Sequence, residues 1–232
     1  MAVIWAIAKK EFKSFFASPI AYVVLALFLG VLGWFFFYAN SFFRYNYADI
    51  GTFFGNLPFL LLFFIPAITM RLWAEEKKMG THEWLMTMPV TDLETVVGKY
   101  LGCMMFYTVM LALTFPLPIL ISILGDPDWG PIWGGYAASL LMGSAYFSIG
   151  LFCSSLTKNQ ILAFLVTVAF SFGLYFMDHA FVMDILSKIP YVDTAILQTI
   201  VEKSGMHGHF ESVGRGVIDS RDLLYYFSIT GM

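Results

Sequence analysis

Five long apolar runs without one charged side chain constrain the fold of this chain more than any other feature. They occupy residues 20–43, 52–70, 100–124, 131–156 and 159–177. A bilayer core about 30 Å thick needs roughly 20 apolar residues in helical form, and each run meets that length. Because backbone polar groups inside lipid must pair with one another, such runs form helices. We therefore expect an all-α polytopic membrane protein.

The composition agrees with a membrane location. Hydrophobic residues make up 59% of the 232 residues and charged residues only 12%, whereas soluble domains carry about a quarter charged residues. A net charge of −3 gives no reason to expect nucleic acid as a partner. Cys103 and Cys153 lie within apolar runs, which indicates small buried side chains and no disulfide or metal site.

The end of the chain predicts a further membrane span. Residues 178–222 mix short apolar patches with charges and glycines, and residues 223–232 begin another apolar run. Asp219 and Ser220 have the character of a helix cap before that run. We interpret residues 223–232 as the first ten residues of a sixth span, because ten residues are too few to cross a bilayer.

The distribution of basic residues predicts the orientation of the spans. If the N-terminus is inside, the inner side holds Lys9, Lys10, Lys13, Arg71, Lys77, Lys78, Lys99 and Lys158, and the short outer loops hold only Arg44. The longer segment 178–222 counts little in this rule. We expect a cytoplasmic N-terminus in a bacterial cytoplasmic (inner) membrane.

Residues 3–16 have the pattern of an interfacial helix. Lys9, Lys10 and Lys13 fall on one side of a helical wheel, and apolar residues that include Phe12 fall on the other. A helix of this kind lies along the membrane surface, and Ser18-Pro19 then turns the chain into the first span. The alternative is the plain start of a longer helix.

A charged segment, residues 71–99, separates the second and third runs. Thr81 opens a short helical pattern that Pro89 ends, and Thr91 with Glu94 predicts a second capping box. A short helix held between two spans could transmit force from a soluble partner. The alternative is a solvated turn with ordinary charges.

The fourth run carries small residues at intervals of four, Gly135, Ser139 and Gly143, which allow close helix packing. The five complete runs contain no ionisable side chain, so catalysis or ion coupling within the bilayer is not expected. His207 and His209 flank a single glycine and indicate a loop, so no metal site is predicted.

The charged segment resembles the signature of type-2 ABC transporter permeases. The matching stretch is RLWAEEKKMGTHEWLMTMPV, followed by the lysine of VVGKYLG. The residues that carry the resemblance are Arg71, Glu75, Glu76, Gly80, Thr81, Glu83, Leu85 and Pro89, with Lys99 opening the third span. The N-terminal KKEFKSFFASPIAYVV is similar to the start of the same family, and HFESVGRGVIDSRDLLYYF resembles its gliding-motility-associated and related exporter branch.

The resemblance implies a single permease domain over residues 1–232. Its parts are an amphipathic elbow helix (1–19), six membrane helices, an ATPase-coupling segment (71–99) that includes Lys77, and short extracellular helices in 178–222. It also implies a permease dimer, formed with a second copy or a homologue, on two cytoplasmic ABC ATPase subunits. The chain has no phosphate-binding loop, so we expect no cofactor here and expect the partner ATPase to bind ATP and Mg.

The sequence therefore indicates the membrane subunit of an ATP-driven exporter, not itself an enzyme, in contact with membrane lipid. Its uncharged aromatic bundle would suit an amphiphilic or lipid-linked substrate. The alternative is an ATPase-driven mechanical or assembly subunit that acts on a periplasmic partner through residues 178–222 and exports nothing. An intramembrane enzyme would need a group from the outer segment, and Asp178, His179 and Asp184 are too loosely spaced for that role.

Overall fold

A computed structural model describes residues 1–39, 51–81, 83, 87, 89–125, 127–177, 205–214 and 219–231. Every regular element in this part of the chain is a helix, so the all-α prediction is confirmed for the described residues. The helices are α1 (Ala2–Ala17), α2 (Pro19–Trp34), α3 (Gly51–Thr69), α4 (Ala74–Met79), α5 (Asp92–Ala112), α6 (Pro116–Leu124), α7 (Trp129–Ser155), α8 (Gln160–Phe176), α9 (Met206–Gly214) and α10 (Ser220–Thr230). A π-helical turn, Phe35–Ala39, continues α2.

Side-chain caps explain where several helices begin. Ser18 accepts a hydrogen bond from the N–H of Ile20 at the start of α2, with Pro19 at the first helical position. Thr91 and Glu94 form the capping box that opens α5. Such caps satisfy N–H groups that have no partner within the helix. Asp219 caps α10 by accepting from the N–H of Arg221 at 3.0 Å.

The third apolar run differs from its sequence interpretation in where its helix starts. Helix α5 begins at Asp92, well before residue 100, because the capping box of Thr91 and Glu94 starts a helix within the charged segment. Lys99 consequently lies inside a helix. The run is interrupted between Ala112 and Pro116, where proline removes a backbone donor and clashes with the preceding turn.

Four helical stretches in the described residues are long and apolar enough to cross a membrane. They are Pro19–Tyr38, Phe53–Met79, Asp92–Leu124 and Trp129–Ser155. Helix α8 is apolar but has 17 residues, and α10 has 11. The chain is therefore a multi-pass membrane protein in which two of the six predicted spans fall short of full length within the described part.

Helix α7 is the centre of the bundle and packs against α3, α5, α8, α9 and α10. Its small residues lie where other helices approach. Gly135 faces the ring of Phe54, and a Cβ at Gly143 would lie 2.2 Å from an atom of the Tyr107 ring. Ser139 is fully buried between them, and its carbonyl accepts from the Tyr107 hydroxyl at 2.8 Å.

Candidate functional site

A buried lysine joins several elements at the end of the bundle where α5 begins. Lys99 is 1% exposed. Its Nζ lies 2.6 Å from a carboxylate oxygen of Glu76 and 3.4 Å from one of Glu11. It also donates to the carbonyl of Leu72 at 3.1 Å and lies 4.8 Å from the centre of the Trp73 ring. One side chain thus links α1, the turn after α3, α4 and α5.

Two glycines let α1 approach α5 closely enough for this contact. A Cβ at Gly98 would lie 2.7 Å from Ile7, and one at Gly102 would lie 2.7 Å from Glu11 and 3.0 Å from the carbonyl of Ala8. Because neither glycine carries a side chain, the two backbones pack together. The carboxylate of Glu11 is thereby brought to Lys99.

The end of α7 holds the turn between α3 and α4. The backbone N–H groups of Trp73 and Ala74 donate to the hydroxyl of Ser154 at 3.2 and 3.3 Å. That hydroxyl donates in turn to the carbonyl of Met70, and the ammonium of Lys77 donates to the carbonyl of Ser155. Helix α4 is therefore fixed to the bundle at both ends.

Arg71 contacts α1 instead of a carboxylate. Its guanidinium donates to the hydroxyl of Ser18 at 3.1 Å and to the carbonyl of Ser14 at 3.5 Å. It also lies 5.2 Å from the centre of the Phe15 ring, a geometry that favours a cation–π interaction. Arg71 ties the turn after α3 to the end of α1.

A cavity of about 640 Å³ lies between α1 and α4. Its charged lining residues are Lys10, Glu11, Arg71, Glu75 and Glu76. The cavity reaches from Ala17 and Ser18, at the turn into α2, to Met79 at the end of α4 and Thr81 beyond it.

The chain turns away from the bundle at Gly80. Gly80 has a φ of 74°, a left-handed backbone conformation that residues with a Cβ rarely adopt. This glycine ends α4. Gly80, Thr81, Glu83 and Pro89 are exposed. Leu85 lies outside the described residues. So does most of the short helix that the sequence predicts to begin at Thr81, including the apolar side chains of that helix.

The signature residues thus fall into two groups. Arg71, Glu75, Glu76 and Lys77 lie against the bundle or the cavity. Gly80, Thr81, Glu83 and Pro89 are exposed, with Thr81 at the rim of the cavity.

Helix α1 presents its lysines to the outside. Lys9, Lys10 and Lys13 are exposed, and Phe12 is partly buried. The buried face consists of Ala8, Glu11 and Phe15, so it includes an acid where the helical wheel indicates only apolar residues.

Sequence reasoning missed the partners of Lys99. Glu11 lies three residues after Ala8 and four before Phe15, a spacing that puts an acid on the same helix face as these two apolar residues. That spacing could have predicted a buried cationic partner for Glu11. Gly98 and Gly102 repeat the four-residue spacing of small residues seen in α7, which could have indicated the α1–α5 contact. Ser154 and Ser155 carried no signal.

The histidines near the end of the chain lie apart from this site. Nδ1 of His209, in α9, lies 2.6 Å from a carboxylate oxygen of Asp222, in α10. No group of three His, Cys, Asp or Glu side chains in the described part of the chain is placed to hold a metal ion.

Comparison with known proteins gives one family. Residues 38–200 match the family described as ABC-2 family transporter protein, which is more than half of the chain. No curated protein matches the chain. The matched region contains the charged segment, the cavity's α4 wall, α7 itself and its neighbours α3, α5 and α8. The chain belongs to the ABC-2 transporter family, as a multi-pass membrane permease.

Proposed function

We propose that this chain is the export permease of an ATP-binding-cassette transporter, and that a partner ATPase contacts it on the outward-facing part of the charged segment. Gly80, Thr81, Glu83 and Pro89 are exposed there, and Leu85 belongs to the same proposed surface. Arg71, Glu75, Glu76 and Lys77 would connect that surface to the membrane helices.

The observation that carries this proposal is the buried contact of Lys99 with Glu76 and Glu11. Displacing α4 would pull on both α1 and α5, because separating buried opposite charges is costly. Movement imposed at the exposed segment therefore has a stiff route into the bundle. Such a route suits a subunit that receives mechanical work from outside the membrane.

The same proposal covers the domain organisation, the orientation in the membrane and the partners of this chain. The whole of residues 1–232 would form one permease domain with an elbow helix and six spans, in an inner membrane, with the N-terminus in the cytoplasm. ATP and Mg would bind to the ATPase, and this chain would catalyse nothing. It would pair with a second copy or a homologue, and residues 209–227 keep their resemblance to the gliding-motility-associated branch.

The test begins with the complex. The full-length permease is copurified with its ATPase, identified by mass spectrometry, and reconstituted in sealed vesicles. We expect Glu83→Gln to lower permease-dependent stimulation of ATP hydrolysis several-fold, since a charged contact contributes on the order of a factor of ten in affinity. Insertion and thermal stability should not change, because Glu83 is exposed.

Asp92→Asn is the matched control, because Asp92 is an exposed acid at the same end of the bundle. It should retain full stimulation. Unchanged stimulation in Glu83→Gln, or an equal loss in both variants, would contradict the proposed contact. Stimulated ATP hydrolysis with no accumulation of any copurifying amphiphile in the vesicles would favour the mechanical role over export.

A further inference from the structure

The cavity between α1 and α4 contains two opposite charges that do not pair. Arg71 and Glu75 are one helical turn apart, and the N–H of Glu75 donates to the carbonyl of Arg71. Side chains at this spacing commonly form an ion pair. Here Arg71 turns to Ser14 and Ser18, and neither Arg71 nor Glu75 has an ion-pair partner among the described residues.

Both side chains keep hydrogen-bonding capacity toward the cavity. A guanidinium has five N–H donors, and the contacts of Arg71 with Ser14 and Ser18 use two of its nitrogens. Glu75 is partly buried and lines the same space. The cavity therefore offers a donor group at one point and an acceptor group one turn away.

Glu76 adds an acceptor without a donor. One of its carboxylate oxygens binds Lys99, while the other, Oε2, is buried and has no hydrogen-bond partner in the described part of the chain. A buried carboxylate oxygen left unpaired is costly. That oxygen has almost no accessible surface, so a ligand in the cavity cannot reach it, and Glu75 remains the acceptor that the cavity offers.

The charges around the cavity balance. Two cations, Lys10 and Arg71, and three carboxylates, Glu11, Glu75 and Glu76, line it. The buried Lys99, which does not line the cavity, contacts Glu76 and Glu11 and supplies the third positive charge. A site with this balance favours a neutral zwitterion over an anion, because an anion would meet three carboxylates as well as Arg71 and Lys10.

An apolar crevice continues from the cavity along the membrane helices. It starts at Phe15 and Arg71, which also line the cavity, and runs between α2 and α3 past Val24 and Ile68. Ile20 at its edge is half exposed. The crevice has a volume of only about 10 Å³, which is about the room for one water molecule, so a hydrocarbon chain would lie over it on the lipid-facing surface and not inside it.

We propose that the cavity binds the headgroup of an aminophospholipid of the phosphoethanolamine type. Arg71 would hold the phosphate, with Lys10 beside it, and Glu75 would accept hydrogen bonds from the primary ammonium. The acyl chains would lie on the lipid-facing surface beside Ile20, which is half exposed. This site does not depend on an ATPase partner, since all of its residues belong to this chain.

The test measures which lipid the purified permease retains. The full chain is placed in phosphatidylcholine discs that contain equal small amounts of phosphatidylethanolamine and phosphatidylglycerol with the same acyl chains, and bound lipid is counted by native mass spectrometry. We expect phosphatidylethanolamine to be enriched over both other lipids. Arg71→Gln should reduce that enrichment about tenfold, and Arg71→Lys should retain most of it.

The sharper variant is Glu75→Gln, which leaves the site with an excess positive charge. Its preference should move from phosphatidylethanolamine to the anionic phosphatidylglycerol. Lys78→Gln and Asp92→Asn are controls, because both side chains are exposed at the same end and do not line the cavity. They should behave as the unmodified chain does.

Several outcomes would overturn the proposal. Equal enrichment of all three lipids would exclude recognition of the primary ammonium of phosphatidylethanolamine. An unchanged lipid preference in Glu75→Gln would exclude Glu75 as its acceptor. Displacement of the lipid by an equal concentration of soluble phosphoethanolamine would show that the acyl chains contribute nothing and that the site is not a lipid site. Absence of lipid enrichment, together with crosslinking of Glu75 to a lysine of a copurified ATPase, would assign the cavity to a basic protein side chain.

Discussion

The stability of the site at the residue scale depends on keeping a buried lysine paired. Lys99 has lost nearly all contact with solvent, which would be prohibitive for an isolated ammonium. Glu76, Glu11 and the carbonyl of Leu72 offset that cost. The pair need not add net stability over apolar residues of the same size, but removing one partner alone leaves a buried charge.

We expect Lys99→Met to lower the free energy of unfolding by about 3 kcal/mol, because Glu76 then keeps a partly buried carboxylate whose one remaining cation among the described residues is the exposed Lys10, at 3.8 Å. Thermal unfolding of the detergent-purified chain measures the loss. Lys78→Met is the matched control, since Lys78 is exposed on α4, and it should leave the melting temperature unchanged.

The double variant Lys99→Met/Glu76→Met separates charge from packing. It removes both members of the shortest pair and leaves Glu11 with Lys10, whose Nζ lies 3.1 Å away. We expect it to recover part of the lost stability. A double variant less stable than Lys99→Met would mean that shape, not unpaired charge, explains the loss.

At the scale of elements, the contact of α1 with α5 decides whether the N-terminal helix belongs to the bundle. Gly98 and Gly102 allow the backbones to meet, and Phe15 stacks on Phe106 with ring centres 4.9 Å apart. The lysine face of α1 remains exposed. Helix α1 is therefore packed against the protein on one side and free to meet lipid headgroups on the other.

Gly102→Leu should detach α1, because the added Cβ would lie 3.0 Å from the Ala8 carbonyl, a backbone atom that cannot move alone. Overpacking of this kind costs about 1–3 kcal/mol. We expect trypsin to cleave after Lys9, Lys10 and Lys13 several-fold faster in the variant, as followed by mass spectrometry of the fragments.

Gly173→Leu in α8 is the control for a bulky residue in a membrane helix. A Cβ at Gly173 meets nothing within 4 Å, so cleavage after the α1 lysines should stay at its original rate. Equal cleavage of both variants would show that α1 is not held by its contact with α5.

At the scale of the whole molecule, the antiparallel helices place the charged segment and the α6–α7 connection at opposite ends. The turn after α3, the start of α5 and the end of α7 meet around Lys99 and Ser154, while Thr114 and Tyr136 bond near the other end at 2.9 Å. The charges of the loops predict that the Lys99 end faces the cytoplasm.

Single cysteines test that orientation. Lys78→Cys and Gly125→Cys introduce thiols at exposed positions near the two ends, while Cys103 and Cys153 are at most 2% exposed and give little background. In intact cells a membrane-impermeant maleimide should label Gly125→Cys and should reach Lys78→Cys only after permeabilisation. The reverse pattern would place the N-terminus outside.

Much of the fold could be predicted from the sequence because lipid allows few alternatives. Uncharged runs of sufficient length must become helices, and the Thr91–Glu94 and Asp219 caps are local patterns that act through neighbouring backbone groups. The start of α5 was not predictable from hydrophobicity, because the helix begins at Asp92 and the apolar run begins only at residue 100. A helix can extend beyond the membrane through residues that are not apolar.

The sequence by itself determined an all-helical membrane protein with one charged segment between two spans, because local hydrophobicity and capping depend only on nearby residues. Only the tertiary structure decided that Glu76, Glu11 and Lys99 share one buried cluster, and that Arg71 and Glu75 line one cavity without pairing. Residues 11 and 99 are far apart along the chain. Their contact requires two glycines in α5 to meet one face of α1, which is a property of packing and not of either segment alone.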